Sequence, residues 1–134
     1  GQLLGHLAKA VGEHGEVIGL DPSADQLAQA KSSCSDFSNI TFLEKGADET
    51  GLPDGSCDSA TSTQALEYIT DVDAALAEIT RVLKPGGSLV NVSILWDHFR
   101  FYGADTKLNE EIHEVFREHC SHQMLPMERM TSSL

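Results

Sequence analysis

At 134 residues the chain has room for one hydrophobic core but not for two. Nine Lys and Arg against 21 Asp and Glu give a formal net charge of −12, which argues against nucleic acid as a partner, because phosphate binding needs clustered cations. No apolar run approaches the roughly 18 residues of a membrane span, and Gly1-Gln2-Leu3-Leu4-Gly5-His6 has neither the basic start nor the cleavage site of a secretory signal.

Along the chain, Leu3, Leu4, Leu7, Ala8 and Val11 recur at helical spacing, so the first element is an amphipathic helix ending near Gly12. Val17 to Leu20 is too short for a helix and reads as a buried strand that stops on Asp21. Ser23 followed by Gln26 has the form of a capping box and opens a second helix through Leu27, Ala28, Ala30 and Lys31. Ile40 to Leu43 is the next strand, and Gly46 to Gly55 reads as an ordered, turn-rich loop. Ser59 to Thr63 is a strand of small residues entered from Asp58. Asp71 then caps a helix whose core stripe is Val72, Leu76, Ile79 and Leu83. Pro85-Gly86-Gly87 stops that helix, and Ser88 to Ile94 forms another strand. Beyond an aromatic loop, Leu108, Ile112, Val115, Phe116 and His119 lie on one face of a last helix. Strands alternating with helices imply βαβ units in a largely parallel sheet.

In such sheets ligands bind at the carboxyl ends of the strands. The candidates are therefore Asp21-Pro22, Gly46-Ala47-Asp48, Thr63-Gln64-Ala65 and the segment from Ile94 to Tyr102. Asp21 is the most informative of them. A carboxylate at a strand end accepts hydrogen bonds from both hydroxyls of a ribose, although an Asp that merely caps a helix start has the same local pattern. Cys34, Cys57 and Cys120 are dispersed and odd in number, which favours free thiols in a reducing cytoplasm over a disulfide framework. His113, His119, Cys120 and His122 invite a metal reading. His119 falls on the apolar stripe, so a core-facing histidine is the better account and no metal is expected. Glu110, Glu111, Glu114 and Glu118 form the solvated face of the same helix.

Five runs carry a family resemblance: Gly1-Gln2-Leu3-Leu4; Val17-Ile18-Gly19-Leu20-Asp21-Pro22-Ser23; Leu52-Pro53-Asp54-Gly55-Ser56-Cys57-Asp58; Gln64-Ala65-Leu66-Glu67-Tyr68-Ile69-Thr70-Asp71; and Arg81-Val82-Leu83-Lys84-Pro85-Gly86-Gly87. Together they resemble the class I S-adenosylmethionine-dependent methyltransferases of the type 11, or UbiE-like, group, over Gly1 to about Ile94. The resemblance implies an α/β fold: a Rossmann-like, doubly wound, mainly parallel sheet with helices on both faces. It implies S-adenosyl-L-methionine as cofactor and SN2 transfer of a methyl group to a small-molecule acceptor, with alignment and water exclusion supplying much of the acceleration. It places Asp21 on the ribose, Pro22 against the adenine, and Ala47 with Asp48 at the adenine edge, although Gly-Asp-Ala is the commoner order there. Thr63 and Gln64 then line the methionine side. Gly86 and Gly87 have a structural part, positive φ and close helix–strand approach. Trp96, Asp97 and His98 follow the fourth strand, where substrate would approach, and Asp97 and His98 are placed to assist deprotonation.

The pattern departs from the family at its start. Of the Gly-x-Gly-x-Gly loop only the last glycine is present, as Gly1, and the preceding strand is absent, as are the strands expected after the last helix. The expectation is a single partial domain over residues 1–134, incomplete at both ends, whose natural start lies upstream. Two alternatives stand beside it: a truncated, non-catalytic binding domain, and a nicotinamide-dependent oxidoreductase, which shares the loop-to-acid logic. The Leu83 to Gly87 turn and the Gln64 to Asp71 run disfavour the oxidoreductase.

Overall fold

The computed structural model describes residues 2–94, 101–103 and 105–120, without the side chains of 116–120. Its elements are α1 (Gln2–Val11), β1 (Val17–Leu20), α2 (Ala24–Ser33), β2 (Ile40–Leu43), β3 (Cys57–Thr63), a single 3₁₀ turn η1 (Leu66–Tyr68), α3 (Val72–Val82), β4 (Leu83–Val92) and α4 (Thr106–Cys120). These form two compact units, residues 1–52 and 53–134. Each unit holds one parallel strand pair, β1 with β2 and β3 with β4. A parallel pair needs a crossover, and α2 supplies the first while η1 and α3 supply the second.

In the first unit α1 lies against β1 and α2 against β2, around Ala8, Val17, Leu27, Ala30 and Cys34. The apolar stripe read along α1 is only partly covered: Ala8 is buried, while Leu3 and Val11 are exposed. Gly19 of β1 gives the Leu4 side chain of α1 its room. A Cβ at that position would stand 2.9 Å from Leu4 Cδ1 and 3.4 Å from the Phe42 ring, so a side chain there would make Leu4 turn aside.

Asn39 ties the unit's start together. Its Nδ2 donates to the carbonyls of Ala8 (3.1 Å), Gly12 (3.2 Å) and Gly15 (3.1 Å), which gather the end of α1 and the turn that leads to β1. An amide nitrogen has two hydrogens, so at least one of them is shared between carbonyls. Asn39→Ala is expected to lower stability by about 1–2 kcal/mol in urea denaturation. Asn39→Asp should cost more, because a carboxylate would face three carbonyls with nothing to donate.

In the second unit the capping expected at Asp71 is present: its Oδ1 accepts from Ala74 N at 3.0 Å. Asp71→Ala is expected to cost about 1 kcal/mol, read as a fall in the denaturation midpoint. The buried stripe of α3 is Val72, Ala75, Leu76 and Val82; Ile79 is only half-buried, and Leu83 has already left the helix.

The end of α3 differs from the sequence reading. Pro85-Gly86-Gly87 does not terminate the helix, which stops at Val82, where Leu83 turns extended (φ −74°, ψ 138°). β4 starts there and carries the Pro-Gly-Gly run inside it. Cys57 pairs with Leu83 and Ser59 with Ser88, so two residues of β3 face five of β4 and the Lys84–Gly87 stretch bulges. The close approach expected of Gly87 is therefore made to strand backbone rather than to a helix.

The Leu52 to Asp58 and Arg81 to Gly87 runs brace one another. Gly55 N donates to Arg81 O at 2.9 Å, Arg81 pairs with Asp54 and Glu78, and Lys84 Nζ meets Asp58 Oδ1 at 2.7 Å. The hydrogen bonds that Arg81 donates to Glu78, and then to Asp54, hold its guanidinium further above the ordinary value, so its charge is permanent. Such exposed pairs fix orientation more than they stabilise.

On α4, Asp105 caps the helix by accepting from Leu108 N at 2.8 Å. Leu108 and Val115, expected on a packed face, are 46% and 56% exposed, while Asn109 is buried and accepts from Phe101 N at 2.9 Å. No helix among the described residues is long and apolar enough to cross a membrane.

Candidate functional site

Asp21 stands where the strand ends. Its N–H donates to Leu43 O at 3.2 Å, which continues the β1–β2 ladder one step beyond Leu20. The residue is half-buried, and its Oδ1 accepts from Ser23 N at 2.8 Å. That bond corrects the capping box. Ser23 does cap α2, its Oγ accepting from Gln26 N at 3.4 Å, but Ser23's own N–H goes to Asp21 and not back to Gln26. The competing reading of Asp21 as a helix-capping acid is thus partly realised, since one oxygen serves the turn into α2. A carboxylate has about four acceptor positions, so one such bond fixes its orientation and leaves Oδ2 for a ligand. Pro22 beside it is exposed.

Ala47 and Asp48 follow the neighbouring strand β2 at the same end of the pair. They occupy the middle of a turn closed by Glu49 N donating to Gly46 O at 3.3 Å. Asp48 Oδ1 sits where a Cβ at position 46 would stand, so the glycine lets the carboxylate fold back over the turn. Asp21, Pro22, Ala47 and Asp48 are therefore all presented by the carboxyl ends of two adjacent parallel strands.

Thr63 and Gln64 end β3 in the second unit. Thr63 pairs with Val92, and Gln64 N donates to Val92 O at 2.7 Å. Gln64 has φ +52°, the one positive value among the described non-glycine residues. Left-handed backbone is uncommon for such a residue, and it concentrates where a site over-determines the chain. It turns the chain at once into η1. Gly1, Trp96, Asp97 and His98 lie outside the described residues.

Sequence reasoning missed two groups at this strand end. Glu67 is 1% exposed, and neither carboxylate oxygen has a partner among the described residues; the buried Ser62 Oγ is alike in this. The signal for Glu67 was a single acid inside the apolar run Ala65-Leu66-Glu67-Tyr68-Ile69. Positions 62 and 67 bracket the turn at Gln64. An unpaired buried carboxylate costs several kcal/mol, so it marks a place built for something else.

Residues 1–91 match the family model described as a methyltransferase domain. The chain is 42% identical over 84 residues to a demethylmenaquinone methyltransferase of Staphylococcus haemolyticus, covering 63% of this chain and 35% of that protein. Among solved structures, the YcgJ protein of Bacillus subtilis superposes with a TM-score of 0.70 at 25% identity, covering 97% of this chain and 55% of that one. An S-adenosylmethionine-dependent methyltransferase of Mesorhizobium loti gives a TM-score of 0.56 at 33% identity, covering 63% and 38%. The chain spans about a third of the length of the curated relatives it matches.

Proposed function

The chain belongs to the methyltransferase-domain family, and from that membership we propose that it serves S-adenosylmethionine-dependent methyl transfer to a small-molecule acceptor, as one partial domain acting in the cytoplasm. The observation that carries the reading is Asp21: a half-buried carboxylate at the carboxyl end of β1, held by Ser23 N–H with one oxygen turned to other use.

The residues fit the cofactor's chemistry. A ribose offers two hydroxyl donors and needs acceptors, which Asp21 has. The cofactor's other end is cationic and needs negative charge or carbonyl oxygens, and the end of β3 carries an unpaired carboxylate. When bound, S-adenosylmethionine supplies a methyl group on a positively charged sulfonium.

Asp21 would accept hydrogen bonds from the ribose hydroxyls, and Pro22 would pack on the adenine. Ala47 and Asp48 would meet the adenine edge, Asp48 offering acceptors to its amino group. Thr63 and Gln64 would line the methionine end, and Gly1 is assigned to the cofactor by its place in the family's glycine motif. Trp96, Asp97 and His98 are assigned to the acceptor from the sequence, the first as an apolar contact and the others to orient the nucleophile or take its proton.

Calorimetric titration of the intact protein with S-adenosylhomocysteine and with NAD tests the proposal. Binding of the first and not the second is expected. Binding of NAD alone would return the oxidoreductase reading, and binding of neither would favour a non-catalytic domain.

A further inference from the structure

We infer that Glu67 supplies the negative charge that the protein sets against the sulfonium end of its cofactor, so that the charged S-adenosylmethionine is preferred over the neutral thioether S-adenosylhomocysteine. The inference rests on the cofactor reading above and goes beyond it by assigning a residue and a selectivity.

The first support is the cost of leaving Glu67 as it stands. Its carboxylate is 1% exposed without a hydrogen-bond partner among the described residues, next to buried Leu66. η1 packs on α3, whose buried positions are Val72, Ala75, Leu76 and Val82, all apolar. Nothing in that list can solvate a charge.

The second is the pairing of the cations. Arg81 holds Asp54 and Glu78, Lys84 holds Asp58, and Lys107 meets Glu111 at 3.7 Å. These three cations thus already have carboxylates, and Glu67 is not among those they serve. The inference gives that carboxylate the positive charge of a ligand as its partner.

The third is place. Gln64 takes a left-handed conformation at the carboxyl end of β3, and η1 begins two residues later. Ligands of parallel sheets bind at that end. Thr63 and Gln64, the residues proposed for the methionine side, carry no charge, so discrimination between a sulfonium and a thioether falls to Glu67. A buried carboxylate suits this task, because the low dielectric strengthens its attraction to a fixed positive charge.

The test is isothermal titration of the intact protein with three ligands: S-adenosylmethionine, S-adenosylhomocysteine, and sinefungin, in which a cationic amine replaces the sulfonium. The wild type is expected to bind both cationic ligands roughly tenfold tighter than S-adenosylhomocysteine. Glu67→Gln keeps the shape and removes the charge. It should leave S-adenosylhomocysteine within about a factor of two and bring the ratio near one, while Glu67→Asp keeps much of the preference.

Equal affinity of the wild type for all three ligands overturns the inference without any variant. So does a Glu67→Gln protein that weakens all three alike, which would make Glu67 a structural residue. Should Glu67→Gln fail to fold, the wild-type ratios and the Glu67→Asp protein decide between the two. Failure of the wild type to bind any of them overturns the cofactor reading itself, an outcome distinct from an unchanged ratio.

Discussion

Asp21→Asn is expected to weaken binding of S-adenosylhomocysteine by roughly 10- to 100-fold while leaving the fold intact, because hydrogen bonds to a charged acceptor contribute about 1.5–3 kcal/mol. The choice of asparagine separates two roles that the structure gives to one side chain. One oxygen accepts from Ser23 N and shapes the entry to α2. An asparagine carbonyl still serves that bond. The second position becomes an NH2 group, which would present donors to the ribose hydroxyls in place of an acceptor. Asp21→Ala removes both roles at once and should add a loss of stability from the Ser23 N–H left without its partner. Titration calorimetry on the two variants, alongside their urea midpoints, checks this. An asparagine variant that binds as tightly as the wild type would remove Asp21 from the ribose and leave it a turn residue.

The sequence makes the regular elements of this fold legible, because they are set locally. Ser23 and Asp71 announce helix starts by side-chain chemistry, and both caps are formed. Val17–Leu20 and Ile40–Leu43 are found at the expected bounds, since short apolar runs between turn residues have few other structures to adopt. What escapes local reading depends on the partner across a ladder or a core. Pro85-Gly86-Gly87 has the composition of a terminator, yet it becomes a bulge because β3 offers Cys57 and Ser59 on either side of it. Leu108 and Val115 share a helical face with Ile112, and periodicity cannot tell whether anything stands opposite.

The candidate site divides in the same way. Asp21 and Gln64 are visible as residues that follow strands, but the positive φ of Gln64 is a property of the folded chain. Glu67 hides for a further reason. A lone acid in an apolar run reads as a solvent-facing position, and only its 1% exposure shows that the side chain turned inward. Among the described residues no group of His, Cys, Asp and Glu is gathered as metal ligands would be. The candidate residues instead sit where strands end, at Asp21 and Gln64.

The two glycines inside β4 give the sharpest test of the bulge, because they are needed for different reasons. Gly86 has φ +83° and open space around a would-be Cβ. Asparagine tolerates left-handed backbone better than other side chains, so Gly86→Asn should cost about 1 kcal/mol or less. Gly87 has ordinary φ, but a Cβ there would stand 2.9 Å from Lys84 O and 3.1 Å from Asp58 O. Both neighbours are backbone, so no rotamer change can make room. A shift at Lys84 O would open the bulge, and one at Asp58 O would disturb β3 between its pairings at Cys57 and Ser59. Gly87→Val is therefore expected to destabilise by about 1–3 kcal/mol or more, as overpacking does. It should also weaken cofactor binding, because β4 supplies the Val92 carbonyl that holds the turn at Gln64. Denaturation midpoints with titration calorimetry distinguish the outcomes. A Gly87→Val protein as stable as Gly86→Asn would mean that the Lys84–Gly87 bulge yields freely and does not set the register of the strand.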